Sequence, residues 1–521
     1  MKLEINLKKL IEFNDYLILL LVAAVLAVSN YLFTLLPLKL DLTAKKNYSL
    51  SEVSKKTIKN LDDVVNITVY ISAKLPNRMK SSADLLKDTL GEYASLSLGK
   101  IKVEYKDPAD DPNLAQTAQA VGIPKLQFSN IEGEQLQVSQ GYFGLTMTYA
   151  NKSETIPVID NTANLEYELS SRLAKLTRKN PLKIAFSAGH DEDSAAHNLS
   201  LVESVLRQQY ETDKVNVSSQ SGTLLSGENN LLLIAGPKKA FTKDEVYLLD
   251  QYLMSGKSIL LLSSGVQLDE RLTAVSLDLG LNDWLDKYGL ALSSDLILDQ
   301  SSEIAPFNTG SSSFFVPYPF WVRLLKTGIN QDGPLSGLET AVMPWTSSIK
   351  TKNNLAKILL SSSTGSWQQT GTYNLDPTQD YDIKGKDLKS FPLAGLAEGK
   401  LSSAFKQEDI PFLYKDEKYI GQTETGKLLV IADSRFINDD FVKQYQGNGA
   451  MLLNIVDYLA SDVNLSQIRI KGDGIHPMQQ LAPDKKGLFK YGNIFGTSAL
   501  VAIAAFYFLH NRKKGDTIYE A

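Results

Sequence analysis

The sequence predicts an α/β protein with two extracytoplasmic domains held between two apolar end segments, and three observations predict it. β-branched runs alternate with amphipathic helical stretches between residues 64 and 262, the order that builds covered, mostly parallel sheets. An apolar run of membrane-spanning length lies near each terminus. At 521 residues, with 43% hydrophobic and 22% charged residues, the chain is long enough for two or three cores and has a globular composition.

The end segments fix the compartment. Tyr16 to Leu36 (YLILLLVAAVLAVSNYLFTLL) carries no charge and is long enough to cross hydrocarbon as a helix. A cleaved signal peptide is the competing reading, with Lys8 and Lys9 as its basic region and Ala27-Val28-Ser29 as a cleavage-like site. The apolar run continues past that point through Tyr31-Leu32-Phe33, which favours a retained helix. Ile494 to Leu509, extended back to Tyr491, can span as well, and Arg512, Lys513 and Lys514 follow it. Basic residues gather on the cytoplasmic side of membrane helices, so Lys2, Lys8 and Lys9 put the first end inside, and the terminal cluster does the same for the second. The expectation is an inner-membrane protein whose residues from about 40 to 490 lie in the periplasm or its equivalent.

Net charge is -5 and the pI about 5.6, and no basic stripe is present, so nucleic acid is not an expected partner. The chain has no cysteine. That removes thiol catalysis, disulfides, iron–sulfur ligation and thiolate zinc sites together, and no cofactor is expected.

Along the outer part, residues 47–60 read as a juxtamembrane helix capped by Ser49 or Ser51. Val64 to Ile71, Ala83 to Tyr93 and Ile101 to Tyr105 form a strand, helix and strand. Gln116 to Val121 suggests a short helix, and Gly122-Ile123-Pro124 leads into a strand at Lys125 to Phe128. Gly141 to Tyr149 and Glu154 to Val158 add a hairpin, and Leu165 to Leu176 a helix. This order is similar to the thioredoxin-like fold, with Pro124 where that fold keeps a cis proline. Ala73-Lys74-Leu75-Pro76 holds the place of the redox pair, so disulfide exchange is chemically impossible and the domain is a scaffold or binding surface.

Asn180-Pro181 marks a boundary. Beyond it, Lys183 to Phe186, Leu231 to Ala235 and Ser258 to Leu262 are buried-type strands, and Leu199 to Gln209 is a helix. Thr242 to Glu245 is a capping box opening a helix that runs to Met254. Residues 301–390 lose periodicity and read as an irregular insertion. Phe391 to Leu396, Lys427 to Ile431, Met451 to Leu459 and Gln467 to Lys471 resume regular structure. The expected organisation is 1–40 for the first tail and membrane helix, 41–160 for the first domain, 161–475 for the second, and 476–521 for linker, second membrane helix and basic tail.

Candidate sites are few. Gly256-Lys257-Ser258 resembles the end of a phosphate loop, but residue 251 is Gln and a strand follows, so it reads as a helix stop. Ser263-Ser264-Gly265 follows a strand where α/β enzymes present a nucleophile, without the surrounding glycine pattern. Gly189-His190-Asp191-Glu192-Asp193 is the densest set of ligating groups. It reads as a structural or ligand-facing loop rather than a metal site. Asp433-Ser434-Arg435-Phe436 also follows a strand, where binding residues sit, and it reads equally as a helix cap. The candidate ligand-facing residues are therefore His190, Asp191, Glu192, Asp433, Ser434 and Arg435.

The chain resembles the GldG family, auxiliary components of ABC-2 type exporters. The residues that carry this resemblance are Leu40-Asp41-Leu42-Thr43 with Tyr48-Ser49-Leu50-Ser51, Ala188-Gly189-His190-Asp191-Glu192, and Phe391-Pro392-Leu393-Ala394. Glu398-Gly399-Lys400, Ser403-Ala404-Phe405, Val430-Ile431-Ala432-Asp433-Ser434, Gly447-Asn448 with Asn454, and Ile468-Arg469 continue it. The resemblance implies a flavodoxin-type, class I glutamine amidotransferase-like second domain without that class's cysteine. It also implies a non-enzymatic role beside an ABC-2 permease and a cytoplasmic ATPase, with the outer domains meeting substrate or an envelope partner. Two rivals stand against this: a hydrolase using Ser264 with His190, and a glycan or peptide module using Phe314, Phe315, Tyr318, Phe320 and Trp321.

Overall fold

The computed structural model describes residues 49–460, except 74, 133–134, 160–161, 163–164, 179, 195, 218–227, 270, 309–312, 353–354 and 416; outside these limits it describes only Leu21, Ala24, Val25, Val28 and Gly496. Both expected membrane helices, the residues 40–43 and 468–469, and the strand expected at 467–471 lie outside the described residues, those five positions apart. Among the described residues no helix is long and apolar enough to cross a membrane. Residues 474–521 separate as a unit of their own.

The first sheet grows from a strand–helix–strand crossover. Helix α1 (Glu52–Lys59) opens on Ser51, whose Oγ accepts from the Ser54 amide at 3.2 Å. Strand β1 (Val65–Ile71) then runs parallel to β2 (Ile101–Lys106), joined by α2 (Asn77–Leu96), whose Leu86, Leu90 and Tyr93 recur on one face and are buried. Helix α3 (Pro112–Ala120) is capped by Asp111 with Pro112 in its first turn. Next come β3 (Leu126–Glu132), β4 (Gln135–Gly141), β5 (Phe143–Tyr149) and β6 (Lys152–Ile156). The sheet order is β2-β1-β5-β6, with β5 antiparallel to β1. Helix α4 (Leu165–Thr177) covers it with Leu165, Leu169, Leu173 and Leu176.

One expectation is corrected here. No peptide bond is cis among the described residues, Pro124 included. The turn at Pro124 feeds a two-stranded β3–β4 hairpin outside the sheet. The strand that pairs antiparallel with β1 is β5, which arrives from that hairpin through Tyr142.

The larger sheet has seven strands. In chain order its elements are β7 (Lys183–Ala188), α5 (Ser200–Gln209), β8 (Glu211–Asn216), β9 (Leu231–Ala235), α6 (Lys243–Met254) and β10 (Ser258–Leu262). After α7 (Asn282–Lys287) follow β11 (Lys357–Ser361), β12 (Pro392–Glu398), β13 (Lys427–Ile431), α8 (Asp439–Gln444) and α9 (Gln446–Ala460). The order is β11-β12-β13-β10-β9-β7-β8. Five strands, β8, β7, β9, β10 and β13, are parallel, and β12 and β11 close one edge antiparallel to their inner neighbours. Every residue of β9 and β10 is buried. One face is covered by α5, α9 and strands between residues 313 and 344, the other by α6 and α7.

Residues 301–390, expected to be irregular, are strand-rich. Ser302–Asn308, Ser313–Leu324 and Ala341–Pro344 form a three-stranded sheet, and Asp295–Asp299 pairs with Ser366–Thr370. The strand Ser313–Leu324 is half exposed at its start and almost wholly buried after Pro317, so no single period runs through it. Tyr318, Phe320 and Trp321 are buried among Trp345, Tyr381 and Phe441, while Phe307 stacks on Phe314 and Phe315 stays 70% exposed.

Asn448 ties this β-rich part to α9. Its Oδ1 accepts from the Val342 amide at 2.8 Å, and its Nδ2 donates to the carbonyls of Val342 and Phe436, both at 2.9 Å. A Cβ at the neighbouring Gly447 would lie 2.2 Å from the Thr340 carbonyl oxygen, so only glycine permits this approach. Asn448→Ala leaves a buried amide and two carbonyls unpaired, and is expected to lower unfolding free energy by about 2 to 4 kcal/mol. The urea midpoint of the purified chain, at unchanged far-UV circular dichroism, measures it.

Candidate functional site

In the order β8-β7-β9-β10-β13 the chain first steps from β7 to β8 and then crosses back to β9. Ligands of open α/β sheets bind where that direction reverses, beyond the carboxyl ends of the strands. Three loops meet at this edge: residues 189–193 after β7, Gly236 after β9, and residues 432–435 after β13. The Asp193 amide donates to the Ala235 carbonyl at 2.9 Å, and the Gly236 amide to the Leu262 carbonyl at 2.8 Å. Gly236 has φ +61°, and a Cβ there would lie 2.6 Å from Asp193 Oδ2 and 2.9 Å from Ser434 Oγ.

His190 points into the protein. It is 4% exposed, its ring stacks on Phe241 at 3.8 Å, and its Nε2 faces Glu245 Oε2 at 3.4 Å. Glu245 is the far member of the capping box of α6, accepting from the Thr242 amide at 2.7 Å. The His190 amide donates to Glu192 Oε2 at 2.7 Å, and the Ser187 hydroxyl to Glu192 Oε1 at 2.6 Å. Burial works against charge on the His190 ring, but Glu192 and Glu245 outweigh it, and the imidazole pKa is raised. Burial likewise works against ionised Glu192, and the bonds from His190 and Ser187 outweigh it, so that carboxyl sits below its usual range. Asp191, with φ +55°, is on the surface, paired with Lys239 at 2.9 Å, and Asp193 pairs with Lys238 at 3.1 Å.

Asp433 is fully buried. Its Oδ1 accepts from the Arg435 amide at 2.7 Å, and its Oδ2 has no hydrogen-bond partner among the described residues. Burial pushes its carboxyl up to about 7, against the pull of the Arg435 amide and guanidinium. Arg435 reaches the Leu268 carbonyl at 3.4 Å and feels both Asp433 and Asp193. Asp433, Ser434 and Arg435 therefore meet Asp193 across Gly236, whereas His190 lies against Phe241 and α6.

A cavity of about 270 Å³ opens beside the first loop, lined by Ser187, Gly189, Asp191, Glu192, Asp193 and Glu203 among others. Glu203, on α5, and Lys214, on the edge strand β8, were not singled out by sequence reasoning. Glu203 carries no local signal, being one more acidic residue in the first turn of an amphipathic helix. No Ser264–His190 dyad forms: Ser264 Oγ meets Ser347 Oγ at 2.9 Å, and both His190 ring nitrogens face carboxylates. Lys257 follows the helix stop at Gly256 and lies over the Tyr252 ring at 5.0 Å. Among the described residues no group of three or more His, Asp or Glu side chains is arranged to hold a metal ion.

The doubly wound sheet and its loop-built edge lie within a recognised class of transport-associated proteins. Residues 181–455, from β7 into α9 and more than half of the chain, match the family model described as ABC-type uncharacterized transport system, and the chain belongs to this family of auxiliary components. Residues 44–148 match a family described only as a domain of unknown function. An uncharacterized protein of Borreliella burgdorferi strain B31 is 25% identical over 437 residues, covering 81% of this chain and 82% of that relative. A solved structure titled mmIFT52 N-terminal domain overlaps with a TM-score of 0.35 and 17% identity, covering 53% of this chain and 97% of that one.

Asp433 sets a pH dependence. Its folded pKa, about 7, lies above its ordinary 3.8, so the folded state holds its proton more tightly than the unfolded state. The stability this contributes is complete below about pH 4 and is lost as pH rises to about 7. Asp433→Asn is expected to flatten that slope, read as urea midpoints at pH 4.5 and 7.5 for both proteins.

Proposed function

We propose that the chain is a membrane-anchored accessory subunit of an ABC-2 type transporter complex, with no enzymatic activity of its own. The observation that carries this reading is membership of the transport-system family across the larger sheet. The apolar runs at 16–36 and 491–509 and their basic flanks support anchoring at both ends, with residues 41–160 and 161–475 outside. The permease and the cytoplasmic ATPase are separate chains in this reading, and the outer domains meet the substrate or an envelope partner.

The strand order β2-β1-β5-β6 with its crossover helix supports a thioredoxin-like first domain. Ala73, Leu75 and Pro76 follow β1, and no thiol is available. The 2-1-3-4-5 order of the parallel strands supports a flavodoxin-type, amidotransferase-like second domain. The separation of Ser264 from His190 favours binding over hydrolysis at its edge. The glycan-module reading is not favoured, because Tyr318, Phe320 and Trp321 are buried in the β-rich part.

Affinity purification of the tagged full chain in mild detergent tests the partnership. A permease and an ATPase are expected to co-purify, and recovery of the chain alone from a native membrane overturns it. Reporter fusions test the topology: fusions after residue 45 and after residue 480 are expected to report the outside, and a fusion after residue 515 the cytoplasm.

A further inference from the structure

We propose that the cavity between the β7 loop and α5 binds a small primary amine through Glu203. The inference rests on the geometry of the sheet edge and is independent of the transporter partnership. Glu203 is 4% exposed at the base of the first turns of α5, and its side chain is 6% exposed. Its Oε1 pairs with Arg207, while its Oε2 is buried with no hydrogen-bond partner among the described residues. A buried carboxylate oxygen left without a donor is costly, and a charged N–H group is its strongest complement.

The other acids lining the cavity already have partners. Asp191 faces Lys239, Asp193 faces Lys238, and Glu192 takes bonds from Ser187 and the His190 amide. Glu203 therefore holds the free acceptor of an acidic lining whose one cation among the described residues is Lys214. The cavity also lies at the carboxyl end of β7, on its β8 side, and doubly wound sheets receive ligands beyond the carboxyl ends of their strands. At about 270 Å³ the cavity falls just below the roughly 300 to 1,000 Å³ of drug-sized sites, which suits a small ammonium compound. A metal ion is a poorer fit, since three suitably placed ligands are lacking among the described residues.

The test is thermal unfolding of the full chain in detergent at constant ionic strength, titrated with ethanolamine or tetramethylammonium. Ethanolamine is expected to raise the midpoint saturably, as a ligand of the folded state does, and tetramethylammonium, which has no N–H donor, is expected to leave it unchanged. Glu203→Gln keeps the shape and removes the charge, and is expected to weaken ethanolamine binding about tenfold or more. Lys214→Ala, on the exposed rim, is expected to tighten it about two- to threefold by removing repulsion. Absence of saturation by ethanolamine overturns the proposal, as does an equal response to tetramethylammonium or undiminished affinity in Glu203→Gln. Should Glu203→Gln fail to fold, judged by far-UV circular dichroism, unchanged or weaker affinity in Lys214→Ala overturns it.

Discussion

The larger domain depends on one constraint: β9 and β10 bury every residue, so apolar surface faces outward from both sides of the sheet and both sides must be covered. On one side the cover is α6 and α7, which bring Val246, Leu249, Leu253 and Trp284 against the sheet. On the other it is α5 and α9, reinforced by Val322, Leu324 and Met343 of the β-rich part. At roughly 25 cal/mol per Å² of apolar surface removed from water, these layers supply the main driving force. The polar groups at the sheet edge are then held where the layers leave them. Buried side chains such as Asp250 join the covering pieces. Its carboxylate accepts from Trp284 Nε1 at 3.1 Å, Tyr288 OH at 2.5 Å, the Ser403 hydroxyl at 2.5 Å and the Ala404 amide at 3.0 Å.

Much of this frame was legible in the sequence because it obeys local rules. The all-apolar strands, the capping box at Thr242 and the helix stop at Gly256 each follow from a few neighbouring residues. Strand β8 (ETDKVN) was missed because an edge strand with a solvated face carries no apolar run. The β-rich part was missed because its pairings join distant segments. Asp295–Asp299 finds its partner at Ser366–Thr370, and the Ser313–Leu324 strand changes environment midway.

The sequence indicated which loops follow strands but not how their side chains turn. The loop after β7 stood out for its density of ligating groups and the loop after β13 for its position after a strand, and the two meet at one edge across Gly236. Which way each side chain turns depends on residues far away in sequence. His190 is drawn inward by Phe241 and Glu245, some fifty residues on. The residues that carry the family resemblance divide in the same manner. Ser403, Ala404, Gly447 and Asn448 secure packing, while Asp433 and Ser434 lie at the edge.

The bonds around α9 also dictate when the fold can be completed. Asp457 accepts from Tyr210, 247 residues earlier, and from Tyr167, 290 residues earlier, while Asn448 reaches back 106 residues to Val342. A chain leaving the ribosome has therefore made β7, β9 and β10 long before the helix that seals their outer face exists. Closing loops of this length is slow because chain entropy is lost before any contact repays it. For most of its synthesis the larger domain presents an unsealed apolar face, which exposes it to aggregation until α9 is made.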